Sequence, residues 1–550
     1  MKRISELELG FADAENYKRR ENKELLNKLF IRNEYLDKLC EDAVSFLVGE
    51  KGTGKTAYSV YLSNNNYKDN LARVRYIRET EYQKFVTLKA EKHLTLSDYT
   101  SIWKVIVCLL LSQQIRERES ETALFPMFKR FTALQSAIDE YYMKAFSPEI
   151  AQAMQLVQES KLAAELISKY ARASGEEKEV FTFTESRFQN NLFYILRKFQ
   201  DALSQVKVEN NHILFIDGID IRPSSIPFAD YTDCIKGLAN AIWELNNDFF
   251  PSIKGSKGRL RVVLLIRPDI FESLGLQNQN TKIRDNSVFL DWRTEYKSHR
   301  SSHLFKVVDH ILEFQQPDRF ALGKTWDNYF PWNSQNLRES YEYPTSFINF
   351  IRWSYYRPRD IIVMLDLLQE EVNLTDKDRT AFRQEDFDNP SFARKYSNYL
   401  LGEVKDHLLF YYTQEEYGLF LKFFQFLDGQ DNFSYERYLS AFADLTDYIG
   451  TTSKPAPQFM ATANDFLQFL YDLNVVCYIE RTSDSSNFIH WCFRDRNYSN
   501  ISPKVKTECT YEVFYGLAKA LNVGKVFTDR PARAQRKPKP LPSTKRERGA

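Results

Sequence analysis

Eight consecutive residues, GEKGTGKT from Gly49 to Thr56, carry the types needed to hold a polyphosphate at the spacing G-x-x-x-x-G-K-[ST]. Gly49, Gly52 and Gly54 permit a tight backbone path that turns N–H groups toward phosphate oxygens, and Glu50, Lys51, Thr53 and Ala57 complete the phosphate-facing set. Lys55 would place a point charge between the β- and γ-phosphates, and the Thr56 hydroxyl would ligate Mg2+. A helix expected to open at Thr56 adds the positive end of its dipole to the same field. Glycine and proline number only 18 each in 550 residues, so three glycines within six positions are a concentration.

A phosphate-bound Mg2+ needs a carboxylate, and HILFID, residues 212–217, offers Asp217 at the end of an apolar run. Three residues on, Asp220 of DGID is placed to orient or deprotonate an attacking water, with a loop carboxylate or helix cap as the structural alternative. RLRVVLLIR, residues 259–267, ends in Arg267 at the strand edge where open α/β sheets bind ligands. There it would either sense a γ-phosphate or be held by Asp269 or Glu272. In YYRPRD, Arg357 and Arg359 stand at a helix start, where the dipole disfavours cations that lack an anionic partner. A phosphate, Asp360 or Asp366 would supply one.

Positioning these groups requires strands that end at a common edge. AVSFLVG, ahead of the glycines, is short and apolar enough for a buried strand; TAYSVYLSNNN predicts a helix, and ARVRYIRE and FVTLK predict strand material. HILFID and RLRVVLLIR look like strands buried on both faces, with a helix around CIKGLANAIWELNNDF between them. Strands alternating with helices predict a doubly wound α/β parallel sheet. YTSIWKVIVCLLLSQQIR opens a helical stretch reaching about residue 203, interrupted by ASGEEKE, so a helical insertion over about 110–200 is expected.

Beyond the sheet, INFIRWSYYRPRDIIVMLDLLQEEV predicts two helices punctuated by Pro358. EEYGLFLKFFQFL, SYERYLSAFADLTDYI and NDFLQFLYDL predict three more, and NVVCYIE and NFIHWCF around TSDSS predict a hairpin, together a winged helix. The expected organisation is a helical segment over 1–40, an α/β domain over 41–335, a helical lid over 336–403, a winged-helix-like domain over 404–527 and a disordered basic tail over 528–550. No internal repeat is present.

The formal net charge of +1 conceals an asymmetry, because Arg530 to Ala550 holds eight basic residues and one acidic. That tail is a candidate for sequence-independent contact with nucleic-acid phosphates, and a merely solvated tail is the alternative. The helix before the hairpin, TANDFLQFLYDL, has two aspartates and no lysine or arginine, which argues against its reading DNA. Six cysteines without a CxxC pair suggest neither disulfides nor a zinc knuckle and fit a reducing cytoplasm. The longest apolar run, VIVCLLL, is far too short to span a bilayer, so no membrane contact is expected. A GTPase-type NKxD after the loop and an LSGGQ of transport ATPases are absent; FLDGQ at 426–430 is no match. His299 and His303 would share a helix face with His310 nearby, but no Glu follows the first as in HExxH, so a metal centre there is disfavoured.

Taken in order, GEKGTGKT, LFIDGID, RVVLLIRPDIF and RPRD resemble the Walker A, Walker B, sensor 1 and sensor 2 motifs of AAA+ P-loop ATPases. FIRNEYLDKL is similar to the box of origin-recognition and STAND-type ATPases that wraps the adenine. LGFADAENYKRR, VGEKGTGKTA, DGID, IRPDIFE and RPRDII more narrowly resemble bacterial P-loop ATPases found in anti-phage defence loci. These motifs span about residues 8–370, and the winged-helix expectation extends the likeness to about 525. The resemblance implies an AAA+-like P-loop NTPase fold, ATP and Mg2+ as cofactors, Asp217 for Mg2+, Asp220 to activate water, Arg267 as sensor 1 and Arg359 as sensor 2. It also implies a homo-oligomer or an effector protein as partner, with a neighbour's arginine completing the site; Arg284 and Arg293 are candidates. The sequence departs from the family in having DGID where DE is usual, and in the 162 positions between Lys55 and Asp217.

The function expected is therefore a nucleotide-dependent switch or regulatory subunit that binds and hydrolyses ATP in the cytoplasm, in the setting of anti-phage defence. The alternatives are a DNA-associated AAA+ ATPase that loads or remodels, and a scaffold that holds nucleotide without hydrolysing it.

Overall fold

Five apolar segments with β-branched or aromatic residues form one parallel sheet: β1 (Phe46–Val48), β2 (Asn70–Tyr76), β3 (Asn211–Asp217), β4 (Leu260–Ile266) and β5 (Ser287–Phe289). The strand order is β2-β3-β4-β1-β5. The protein is described by a computed structural model that covers residues 1–77, 96–119, 193–223 except 194, 195 and 198, 226–452 except 336, 338 and 339, 455–481 and 487–524. FVTLK, most of the expected insertion, the TSDSS turn and the basic tail lie outside the described residues.

Strand geometry sends successive side chains to opposite faces, and two cores result. Ile213, Phe215, Val263 and Leu265 enter one; Leu214, Ile216, Val262 and Leu264 enter the other. The second core is covered by α4 (Leu96–Glu119) and α5 (Phe228–Glu244), where Trp103 Nε1 donates to the Cys234 carbonyl at 3.1 Å. The first is covered by α1 (Lys23–Leu29), α2 (Glu34–Leu39) and α3 (Lys55–Asn64). The strand β5 escaped the sequence reading because SVF is three residues long and carries no alternation to detect. It extends the sheet beyond β1, which thus has a neighbour on each side.

The N-terminal segment is less helical than expected: Ala14–Lys18 and Arg20–Asn22 are 3-10 turns. It is tied to the lid rather than standing apart. Gln369 Nε2 donates to the carbonyls of Ile4 at 2.7 Å and Leu7 at 2.9 Å, and Ile4, Leu7 and Leu9 are buried. His299 lies in a 3-10 turn, Tyr296–Ser301, whereas His303 opens α6 (His303–Glu313), so the two histidines do not share a helix. His299 bonds the Tyr296 carbonyl, His303 meets Glu34 and His310 meets the Lys28 carbonyl, which gives them separate partners.

The lid begins with α7 (Phe347–Trp353) and α8 (Pro358–Thr375), the latter opened by Pro358 at its first position. The boundary expected between 403 and 404 falls inside an unbroken helix, α9 (Pro390–Tyr411). Asn389 caps it, Pro390 starts it, and Phe392, Tyr396, Leu400, Val404 and Leu408 bury one continuous stripe. Nothing in that stretch breaks the pattern, so lid and C-terminal module share one rigid rod.

The C-terminal module contains α10 (Gln414–Phe426), α11 (Tyr435–Thr451), α12 (Ala463–Asp472) and an antiparallel sheet in the order β6-β9-β7-β8, with β6 (Asn432–Ser434), β7 (Val476–Arg481), β8 (Asn487–His490) and β9 (Thr510–Val513). The predicted hairpin is β7 paired with β8. Its second strand ends earlier than NFIHWCF suggested, because Cys492–Asp495 is a helical turn and Trp491 is buried. α12 turns Phe466, Leu467, Leu470 and Tyr471 inward. The module's core is continuous with that of the lid, for the Tyr355 ring meets Phe514 at 4.4 Å and Phe493 at 5.4 Å.

Candidate functional site

The glycine loop leaves β1 at the C-terminal edge of the sheet, where β4 and β5 flank β1 although neither is its neighbour in sequence. This is a point where the strand connections diverge, the location at which open α/β sheets bind ligands. Gly52 and Gly54 have φ of +88° and +95°, a left-handed backbone that favours glycine. A Cβ on Gly52 would also stand 3.2 Å from Arg359 Cβ. The loop is braced from outside: Trp292 Nε1 donates to the Thr53 carbonyl at 2.9 Å, and Arg357 Nη1 to the Lys51 carbonyl at 2.9 Å.

Lys55 is buried and donates to the loop's own carbonyls, Gly49 at 2.7 Å and Glu50 at 3.1 Å. Burial lowers its pKa, and the nearby Asp220 and Asp217 oppose that shift. The next residue, Thr56, donates from Oγ1 to Asp217 Oδ2 at 2.7 Å, so the two expected Mg2+ ligands are in direct contact. Asp217 also accepts from the Gly218 N–H at 2.8 Å. Burial, reinforced by the charge of Asp220, pushes the Asp217 carboxyl up to about 6. Asp220 is half-buried and lines the same cavity, so all four polar groups expected around a terminal phosphate converge.

Arg267 takes the second of its two expected postures. Its guanidinium is buried, donates from Nε to Asp269 Oδ1 at 3.0 Å with a second bond from Nη2 to Oδ2, and stacks 4.9 Å from the Phe410 ring centroid. Asp269 accepts as well from His407 Nε2 at 2.9 Å and from the Tyr411 hydroxyl at 2.6 Å. Burial opposes ionisation of Asp269, but Arg267 and His407 hold its carboxyl well below the usual range. Arg357 is likewise clasped by Asp360, at 2.9 Å through Nε and 2.6 Å through Nη2. Arg359 is freer: Nε donates to the Ala12 carbonyl at 2.9 Å, and the side chain lines the cavity. Of the two trans-arginine candidates, Arg293 is bound to Asp291 through several hydrogen bonds, while the exposed Arg284 stands 3.4 Å from Asp285.

Several groups at the loop were not foreseen. Lys51 pairs with Glu403 at 3.2 Å and Asp406 at 2.7 Å, and Glu50 pairs with Arg496, which is buried and donates to Cys492 Sγ at 3.2 Å. Glu403, Asp406, His407 and Tyr411 recur at the three- and four-residue spacing of one face of α9. That polar stripe lies in NYLLGEVKDHLLFYY, across the expected domain boundary at 403 and 404. Arg496 carried no signal, since it lies 446 positions from its partner.

The cavity around these groups has a volume of about 810 Å3. It is lined by the loop, Asp217 and Asp220 and also by the apolar side chains of Phe30, Ile31, Val307 and Ile362. Phe30 stacks on Tyr61 at 4.1 Å, and Asn33 exchanges hydrogen bonds with the Tyr58 hydroxyl, which fixes the FIRN segment against α3. A few polar groups among apolar side chains is the composition of a small-molecule site, and the size falls within the range of roughly 300–1,000 Å3 for such sites. Among the described residues, no group of three or more His, Cys, Asp or Glu forms a metal cluster, and no helix is long and apolar enough to cross a membrane. No protein-family model matches the chain, and no curated protein matches it.

Proposed function

We propose that this chain binds ATP with Mg2+ and hydrolyses it, using the nucleotide to switch the arrangement of its lid and C-terminal module. The observation that carries this reading is the meeting of Lys55, Thr56, Asp217 and Asp220 in one cavity that apolar side chains also line. Thr56 and Asp217 present hard oxygens suited to Mg2+, which takes few protein ligands when phosphates supply the rest. Bound there, Mg2+ would neutralise charge on the phosphates.

The chain's own residues divide the work. Loop N–H groups and the α3 dipole bind phosphate, and Lys55 exchanges its carbonyl partners for phosphate oxygens. Asp220 orients the attacking water and accepts its proton. Arg359, above Gly52, reaches the terminal phosphate from the lid. Arg267 acts through Asp269 to report the same event to His407 and Tyr411 on α9. The order of motifs supports an AAA+-like P-loop NTPase related to origin-recognition and STAND-type ATPases, working in defence against phage with an effector protein or further copies of itself as partner. The continuous core joining module and lid favours an internal role for the winged helix over DNA loading or remodelling.

Phosphate release measured for the wild type and Asp220→Ala tests hydrolysis. The switch predicts turnover that the variant loses by roughly 10²–10⁴-fold. Wild-type turnover no higher than that of Asp220→Ala, with ATP still bound, would instead favour the non-hydrolysing scaffold.

A further inference from the structure

Glu403 sits on α9 and lines the same cavity, with its side chain only 12% exposed. Three cations surround it. Oε1 is 3.2 Å from Lys51 Nζ, while Oε2 is 3.7 Å from both Arg357 Nη1 and Arg359 Nη1 and accepts no hydrogen bond. A buried carboxylate oxygen without a hydrogen bond is costly unless its position serves another purpose. Burial opposes its ionisation, yet Arg357, Lys51 and Arg359 together hold its pKa below the ordinary value. The three cations are not equivalent. Arg357 is already matched by Asp360 and by the Lys51 carbonyl, whereas Lys51, which Glu403 shares with Asp406 at 2.7 Å, and Arg359 line the cavity itself.

We propose that Glu403 is a built-in competitor of the nucleotide's γ-phosphate: it holds Lys51 and Arg359, and a triphosphate takes them from it. Once those cations turn to the phosphate, the carboxylate faces a like charge across a poorly hydrated gap, where Coulomb terms are strong. The repulsion pushes α9 away from the loop. Because α9 also carries His407 and Tyr411 and runs unbroken into the C-terminal module, that push is how a phosphate is felt there. A diphosphate lacks the outermost charge and leaves Glu403 in place, so this residue discriminates triphosphate from diphosphate. The inference rests on the nucleotide reading above.

Equilibrium binding of a slowly hydrolysed ATP analogue and of ADP, each with Mg2+, to the full chain and to Glu403→Gln tests it. The amide keeps the shape and removes the competing charge, so the analogue should bind about three- to tenfold tighter while ADP changes by less than about twofold. A thermal melt establishes that the variant is folded. Hydrogen exchange on the wild type adds a measurement that needs no variant: the ATP analogue should speed exchange in residues 397–411 and ADP should not. Unchanged or weaker analogue binding by Glu403→Gln, or equal exchange with the two nucleotides, overturns the role of Glu403 and leaves the nucleotide site standing. Failure of the wild type to bind either nucleotide overturns both.

Discussion

Thr56 Oγ1 and Asp217 Oδ2 lie 2.7 Å apart, joined by a hydrogen bond across 161 positions of chain. One residue lies in the first turn of the helix after the glycine loop and the other ends β3, two places from β1 in the sheet. In the proposed nucleotide reading, this hydroxyl and carboxylate would hold Mg2+. Thr56→Ala and Asp217→Asn should each lower Mg2+-dependent ATP affinity by about tenfold or more, with little change in binding measured in EDTA. Isothermal titration with and without Mg2+ separates the two terms.

The carboxyl of Asp217 gives that site a pH dependence. Its pKa in the folded chain is raised to about 6, so the folded state disfavours the ionised form. The stability it contributes is fully present below the unfolded value of about 4 and is lost as pH rises through about 6. Mg2+ needs the ionised form, and its stabilising effect should therefore grow over the same interval. Thermal melts from about pH 5 to pH 8, with and without Mg2+ and ATP, should show a difference that widens as pH rises through about 6 and then levels off. Asp220→Asn removes the second cause of the raised pKa and should move the midpoint of that widening to lower pH.

Glu50 and Arg496 join the glycine loop to the C-terminal module through a pair that is almost wholly buried on the arginine side. Arg496→Ala leaves Glu50 without its cation and should destabilise by about 3 kcal/mol, a typical cost of breaking a buried pair. Glu50→Gln combined with Arg496→Met should recover much of that loss, because no uncompensated charge remains. Urea unfolding midpoints of the single and double variants provide the comparison.

Gly54 holds a left-handed backbone at φ +95° with no side chain within 3.9 Å of the place a Cβ would occupy. Gly54→Ala meets backbone strain alone, of order 1 kcal/mol. Gly52→Ala meets similar strain and also the Arg359 side chain 3.2 Å away. Gly52→Ala should thus weaken ATP binding more than Gly54→Ala. Equilibrium ATP binding by the wild type and the two variants checks the order.

The strand ends were legible in the sequence, and long-range pairing was not. GEKGTGKT and HILFID announced their strand ends because their residue types have few other uses at those spacings. The apolar runs of β1, β3 and β4 marked the sheet because parallel strands are buried on both faces. By contrast, Arg267 offered two equally good partners, a phosphate or Asp269, and only the fold shows that Asp269 holds it. Glu403 and Arg496 reach the loop through tertiary packing, and no spacing rule connects residues 350 to 450 positions apart. α9 runs unbroken across the expected boundary at 403 and 404 because its apolar stripe continues on both sides of it.

Binding of ATP and Mg2+ to the wild type and to Lys55→Ala, followed by calorimetry, addresses the site most directly. Lys55 is buried against the loop with no role in the sheet or lid, so its loss should remove phosphate binding and leave the fold intact. A saturable wild-type titration with a stoichiometry near one, abolished or weakened at least about a hundredfold in a folded Lys55→Ala, is the predicted result. No heat of binding with the wild type, or equal affinity in the two chains, would contradict a nucleotide site at this loop.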